Sequence, residues 1–485
     1  MEIKTQEEIL FMLHVEVSPA YHSDLLLFIY RKYIVPYYHR FANVRRWIIN
    51  GKETLAFTLL GPSNFWYVDV EITSGEPMEI KIKPSGPNVP PEVLNRIKED
   101  LIITIQMFED EIRRRTLYFV WGPEKRLVDE KALTQRKKIL SQIFTGNMLL
   151  LFIIFLLFSY FMFSVAWILG ILEYAPLLLL LSQFILVLFA DKIVMQMGDW
   201  LITRENSKVY ILQYHIPPED LEFIKQNYPK EKLLQIKREI YERTMAIRKT
   251  IDSETVQEVF LKYGIRIRPE NLLIKSIDIY RIVDDVAKKF GMPTPKIAVA
   301  NIIIPNAAAT GPRPRSSLVL ITSGLLIQLD EEEISAVLGH EISHVKGRDP
   351  LIFFLLASSE YLLRVYVVLR YLPYLVTLFG FLYLFFALTV IYFIAKFFEA
   401  RADLESAIVL GKADALANAL RKIGYRRLLF ERNTNIIGAW LGMDPHPPLS
   451  FRIERLESVK LHKVKHPLLQ SIKDCIRGLL SEIAY

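Results

Sequence analysis

From Met148 to Ala190 the chain runs 43 residues with a single charge, Glu173. About 20 apolar residues suffice to cross a bilayer as a helix, where every backbone polar group must be satisfied within the segment. The stretch therefore reads as two spans, Met148–Leu172 and a second starting near Pro176, with Glu173-Tyr174-Ala175-Pro176 as the turn. A second apolar pair follows. Leu351–Leu369 carries only Glu360 and Arg364, an i, i+4 pair on one helix face, and Tyr371–Ala395 carries no charge, with Pro373 as the turn. The alternative for Leu351–Leu369 is a buried helix of a folded domain, which its length and two charges allow. A hydrophobic content of 52% agrees with membrane spans.

Basic residues flank the spans on one side. Lys125, Arg126, Lys131, Arg136, Lys137 and Lys138 precede the first, and Arg204 and Lys208 follow the second. Lys346 and Arg348 precede the third, and Lys396 and Arg401 follow the fourth, with Arg370 in the second turn as an exception. The expected location is the cell membrane, multi-pass, with both termini and all large segments cytoplasmic. The acidic start, Met1 to Glu8, reads as no signal peptide. A net charge of +7 favours anionic headgroups, and no basic stripe or binding motif supports a nucleic-acid partner. The single cysteine, Cys475, excludes an intramolecular disulfide and cysteine-rich zinc sites.

Between the two pairs lies His340-Glu341-Ile342-Ser343-His344. Imidazoles at i and i+4 on a helix share a face, so both can reach one metal ion, and the carboxylate beside the first can take a proton from water. The surroundings predict that helix. Asp330 is an N-cap followed by three glutamates, Ile334, Val337, Leu338, Ile342 and Val345 recur at helical spacing, and Gly347 is a stop. Beyond the fourth span, an alanine-rich helix presents Glu399 and Asp403 one turn apart. Glu399 can complete a His₂Glu site, and Asp403 can hold a ligand ring by its other nitrogen. A two-span excursion returns the chain to the side it left, which this pairing requires.

These residues resemble the HtpX-type membrane zinc metalloproteases, relatives of the CaaX prenyl-protein proteases. The likeness extends to Phe290-Gly291-Met292-Pro293-Thr294-Pro295-Lys296, to Pro305-Asn306-Ala307-Ala308-Ala309-Thr310-Gly311 (Ala308 replaces the family's aromatic residue), and to Thr322-Ser323-Gly324-Leu325-Leu326. Arg348-Asp349-Pro350 and His446-Pro447-Pro448-Leu449-Ser450-Phe451-Arg452-Ile453 follow the same pattern, and the resemblance covers roughly residues 140–460. It implies one Zn²⁺ per chain held by His340, His344 and Glu399, Glu341 as general base, Asp403 behind the ligands, and His446 and Arg452 as transition-state or structural groups. The implied fold is an α+β membrane protein: a mostly helical gluzincin metalloprotease domain with a small β-sheet, four transmembrane helices in two hairpins, and an N-terminal α+β domain.

The implied activity is endoproteolysis of membrane or misfolded proteins at the cytoplasmic face, in protein quality control. A CaaX-type prenyl-protein protease is the nearer alternative, and a catalytically silent membrane scaffold or lipid sensor is the rival from another class. Residues Asn306, Ala307, Ala308 and Ala309 are expected on an edge strand that pairs with extended substrate, with an ordinary core loop as the alternative. Strands are expected at Ile297–Ile304 and Ser317–Thr322, and Lys296 is a weaker candidate for steadying an oxyanion. The expected layout is 1–122 as the N-terminal domain, 123–147 as a charged linker, 148–197 as the first hairpin, 198–350 as the first part of the catalytic domain, 351–395 as the second hairpin, and 396–485 as its second part. In the N-terminal domain, Asn50-Gly51 predicts a hairpin turn, and Pro91–Arg115 has helical spacing.

Overall fold

Apolar residues at every second position build the N-terminal sheet. Val68, Val70 and Ile72 of β4 (Tyr67–Thr73) and Ile80 and Ile82 of β5 (Met78–Ser85) are buried, while the residues between them turn to the other face. The structure is a computed structural model that describes residues 8–49, 51–62, 65–85, 89–122, 148–311, 313–368, 370, 378–434, 436–459 and 464–484. With β1 (Ile9–Leu13), β2 (Phe41–Ile49) and β3 (Lys52–Leu60), the described strands form an antiparallel sheet of order β1-β5-β4-β3-β2. Gly51 has φ +76° in the β2–β3 turn, where a side chain would be strained, and Asn50 lies outside the described residues. Helix α1 (His22–Ile29) adds Leu25, Leu26 and Ile29 to the sheet's core, and α2 (Pro91–Arg113) adds Leu94, Ile97, Leu101, Ile105, Phe108 and Ile112. Each such side chain contributes about 1.5–3 kcal/mol when fully buried.

Residues 210–276 group with residues 1–121 into one compact unit. Its second sheet pairs Thr116–Trp121 with Lys208–His215, beside Leu272–Asp278, over a core that includes Leu212, Tyr214, Ile236, Val256 and Phe260. The sequence reading instead ends the first domain at 122 and carries 198–350 as one piece. Nothing in the local periodicity of 210–276 reveals that its apolar face is shared with Phe119 and Trp121.

The other unit comprises 122–209 and 277–485 and is mostly helical. Helix α3 (Met148–Ile168) and α4 (Ala175–Leu188) flank a short turn at Leu172–Tyr174. Helix α5 (Glu331–Gly347) carries the histidine pair, and α6 (Asp349–Leu363) runs on as a π-turn to Val368. Helix α7 (Leu378–Leu410) continues without a break from the apolar stretch through Glu399 and Asp403. Among the described residues two helical segments are long and apolar enough to cross a membrane, Asp349–Val368 and Leu382–Leu410. Only 6% and 17% of their most apolar windows are buried in the chain, so most of this apolar surface faces outward, as in a membrane-spanning or partner-covered helix. Glu360 and Arg364 do pair, Oε1 to Nε, at 2.9 Å. The turn expected at Pro373 and the linker 123–147 lie outside the described residues.

A four-stranded sheet precedes α5: β6 (Trp200–Ile202), β7 (Lys296–Ala300), β8 (Ala307–Thr310) and β9 (Leu318–Thr322), in the order β8-β9-β7-β6. Strand β7 is shorter than the Ile297–Ile304 expected, ending at Ala300. The start of α5 agrees with the sequence: Asp330 and Glu333 form a reciprocal capping box. Its end does not. Arg348, at φ 54°, takes the left-handed position, and Gly347 is the last helical residue. A Cβ on Gly347 would lie 2.1 Å from the Arg401 guanidinium, so this glycine makes room rather than turning the chain. Helices α8 (Ala413–Asn433), α9 (Leu449–Ser458) and α10 (Pro467–Ala484) follow in the same unit.

Candidate metal centre

Helices α5 and α7 pack closely because Gly339 has no side chain. A Cβ there would lie 2.6 Å from both Ser406 Oγ and Leu410 Cδ1, and Ser406 Oγ donates to the Ala336 carbonyl at 2.7 Å. The close approach brings His340, His344 and Glu399 together, with one ligand atom of each inside a 4.8 Å span. His340 Nε2 and His344 Nε2 are 3.1 Å apart, Glu399 Oε1 is 3.3 Å from His344 Nε2, and Glu399 Oε2 is 3.4 Å from His340 Nε2. Ligands about 2.0–2.1 Å from a tetrahedral Zn²⁺ stand roughly 3.3 Å from one another, and each of these approaches is close to that spacing, the two to Glu399 being made by its different carboxylate oxygens.

The electrostatics ask for a cation as well. Glu399 Oε2 is buried with no hydrogen-bond partner among the described residues. Burial disfavours a charged His340, but Asp403 and Glu399 outweigh it and raise the ring's pKa to about 10 in the absence of metal. The pocket thus draws in positive charge, whether proton or metal.

Each imidazole is backed by a carboxylate, and each carboxylate by an arginine. Asp403 Oδ1 lies 2.9 Å from His340 Nδ1, and Arg452 donates to both Asp403 oxygens at 2.7 and 2.8 Å. Asp349 Oδ2 lies 2.7 Å from His344 Nδ1 and accepts from Arg401 Nη2 at 2.6 Å. Such partners fix ring orientation and tautomer. The sequence reading places Asp403 here and misses Asp349, whose only signal is its place in Arg348-Asp349-Pro350 just past the helix. It also offers Arg452 as a transition-state or structural group; the guanidinium is buried and donates to both Asp403 oxygens, which accords with the structural alternative.

Glu341 Oε2 accepts a hydrogen bond from the backbone N–H of Ala309 at 3.0 Å. Ala309 is on β8, the edge strand, with Ala307 opposite Ile321, Ala308 opposite Leu320 and Ala309 opposite Val319. Asn306 is held just outside the strand, its N–H donating to Thr322 Oγ1 at 2.8 Å and its carbonyl accepting from Thr322 N at 3.0 Å. His446 Nε2 stands 3.6 Å from Glu399 Oε2, and its Nδ1 faces Asp444 Oδ1 at 2.8 Å. Burial opposes the charge on Asp444, but hydrogen bonds from His446 and the Arg427 charge hold its carboxyl well below the usual range. The loop is pinned from α7: Lys396, fully buried, donates to the carbonyls of Gly442 and Asp444. Lys296 pairs with Asp191 at 3.3 Å.

Comparison with known proteins agrees with this geometry. The peptidase family M48 model matches residues 274–460, a range that includes every residue of the centre described above except Asp191. The protease HtpX homologue of Thermococcus sibiricus is 32% identical over 231 residues, covering 41% of this chain and 77% of that protein. The protease HtpX homologue of Pyrococcus abyssi is 33% identical over 242 residues, covering 41% and 78%. A solved structure, "Crystal Structure of S. mikatae Ste24p", matches with TM-score 0.29 and 19% identity over 37% of this chain and 50% of that one, too distant to argue from. A relative matched over three quarters of its length, with the histidine pair and its carboxylate gathered in the matched region, settles the family: the chain belongs to peptidase family M48, as an HtpX-type metalloprotease.

Proposed function

We propose that the chain is a membrane-embedded zinc endopeptidase that hydrolyses peptide bonds of membrane or misfolded proteins at the cytoplasmic face. The observation that carries this is the set of 3.1, 3.3 and 3.4 Å approaches among His340 Nε2, His344 Nε2 and the two carboxylate oxygens of Glu399. These three residues would hold the Zn²⁺, which when bound acidifies water and polarises a carbonyl. Glu341 takes the proton of the attacking water and passes it to the leaving amine. Asp444 engages Nδ1 of His446, which turns Nε2 toward the metal centre, 3.6 Å from Glu399 Oε2, where it can steady the developing oxyanion. Strand β8, at Ala307, Ala308 and Ala309, offers extended substrate the backbone groups on its outer edge that neither the ladder to β9 nor Glu341 uses, so main chain is read more than side chains. Asn306 fixes the entry to that strand through Thr322.

Four spans in two hairpins are supported by contacts between the hairpin ends. Tyr366 Oη donates to the Glu173 carbonyl at 2.8 Å, and Phe184 and Phe354 stack with ring centres 5.9 Å apart. The first turn thus sits beside the far end of α6, away from the metal-binding residues, as two parallel hairpins require. The basic flanks then put the catalytic groups in the cytoplasm. Quality control rests on the likeness to HtpX-type proteases, and prenylated tails are not favoured as substrates.

The test is zinc content and casein or membrane-protein cleavage for the wild type and Glu341→Gln. The variant should keep its zinc and lose cleavage. Equal cleavage by both would remove Glu341 from the reaction, and cleavage by neither with full zinc would favour the silent scaffold.

A further inference from the structure

Resting on the reading of α7 as a membrane span, we propose that the outer face of α10 is itself seated in the bilayer beside α7, on the side of the metal centre. The register between the helices carries the argument. Arg455 of α9 donates to the Ala400 carbonyl at 2.6 Å and to Ser471 Oγ at 2.8 Å, and Cys475 Sγ lies 3.8 Å from the Lys396 carbonyl. Four residues forward on α10 match four back on α7, so the helices run antiparallel. Leu480 and Ile483 lie about 7.5 and 12 Å further along α10 than Cys475, at 1.5 Å per residue. That puts them abreast of the charge-free stretch that ends at Ala395.

The outer face has the composition this position demands. Ile476, Leu480 and Ile483 follow i, i+4, i+7 spacing and are 43%, 58% and 58% exposed. On α7 at the same depth and deeper, Val390 and Phe386 are also exposed, Phe386 at 68%. The apolar surface of the span therefore continues onto α10. Exposed Lys473 and Arg477 lie toward the start of the apolar row, at headgroup level, where cations meet anionic lipid. Glu482 is two residues from Leu480, on the opposite side of the helix. The inner side holds Cys475 and Leu479, packed with Ala400 and Trp440. A helix that enters the acyl region this way fixes the depth at which Glu399, on its partner helix, meets the two histidines.

The test uses single added cysteines at Leu480, Ile483, Phe386 and Lys289, labelled with an environment-sensitive nitrobenzoxadiazole in the full chain. Cys475 is buried and leaves the exposed thiols to take the label. Proteoliposomes of phosphatidylcholine and phosphatidylglycerol carry either acyl-chain doxyl lipid or external iodide as quencher. Labels at 480 and 483 should be quenched by doxyl lipid within about twofold of the label at 386, and by iodide several-fold less than the label at 289. Iodide quenching equal to that at 289 would put the face in water and overturn the proposal. Protection from both quenchers, with 386 still reached by doxyl lipid, would overturn it too, since protein would then cover the face, such as a second copy of the chain. A label at 386 open to iodide would remove the span itself, and the proposal with it.

Discussion

The backbone N–H of Ala309, on the edge strand β8, donates to Oε2 of Glu341 across 3.0 Å. The strand proposed to align substrate therefore also aims the proposed base. Because this N–H points at Glu341, it is not spent on the ladder to β9. Ala309→Pro removes it and sets ring carbon against the carboxylate. The expected result is unchanged zinc content with kcat/KM lowered about 10- to 100-fold, since small misplacement of a reacting group is enough for such a loss. Zinc analysis beside peptide-cleavage kinetics checks it, and loss of zinc would mean the strand shapes the metal site instead.

The two carboxylate-arginine pairs behind the histidines should behave alike toward metal, and removing a carboxylate outright should also cost folding stability. Asp349→Asn and Asp403→Asn should each weaken zinc binding about 10- to 100-fold, the usual effect of removing a partner behind a ligand histidine. Asp403→Ala also strands the buried Arg452 without its counter-charge, which costs about 3–5 kcal/mol. Adding Arg452→Met to Asp403→Ala should recover thermal stability without recovering zinc affinity. Chelator-competition titrations and melting curves separate the two effects. Recovery of zinc affinity in the double variant would show that the arginine, not the carboxylate, governs the ring.

The local elements are largely legible in the sequence. The Asp330 cap, the period of α5, the Gly51 turn and the apolar row of α2 are short-range features, and each folds as its pattern dictates. The candidate ligand triad is legible too, because i, i+4 histidines on a helix leave few choices and the expected return of the chain after the second apolar pair limits where a third ligand can lie. What stays hidden depends on which distant charge meets which. Arg401, Arg452 and Asp349 sit among many similar residues, and only the packing of α6 and α9 against α7 selects Arg401 for Asp349 and Arg452 for Asp403. Gly347 misleads for the same reason: its role is set by the Arg401 side chain, which local sequence cannot reveal.

Zinc loading should expel a proton from His340. Burial opposes charge on this ring, but Asp403 and Glu399 raise its metal-free pKa to about 10, above the ordinary 6.5. A raised folded pKa stabilises the metal-free fold fully below about pH 6.5, and that contribution is lost as pH rises through about 10. Between these limits zinc must displace the proton, so apparent affinity should climb with pH until about 10. Calorimetry at pH 7.5 in buffers of different ionisation enthalpy should report close to one proton released by His340 per zinc. Binding with no proton release would mean the ring is already neutral.

Gly339 sets the distance between the two helices that supply ligands. An added methyl would lie 2.6 Å from Ser406 Oγ and Leu410 Cδ1, far inside van der Waals contact, and the Ser406 bond to the Ala336 carbonyl limits how far α7 can yield. Overpacking of this kind costs about 1–3 kcal/mol. The geometric effect should exceed the energetic one, because Glu399 comes from α7 and both histidines from α5, so any widening opens two sides of the ligand triangle and leaves the third unchanged. Gly339→Ala should therefore fold with a modestly lower melting temperature and lose most of its zinc affinity, while Gly438→Ala, where an added Cβ meets nothing within 4 Å, serves as the neutral control. Zinc retention by Gly339→Ala equal to that of the control would mean that the helices separate elsewhere, or that Glu399 is not needed to hold the ion.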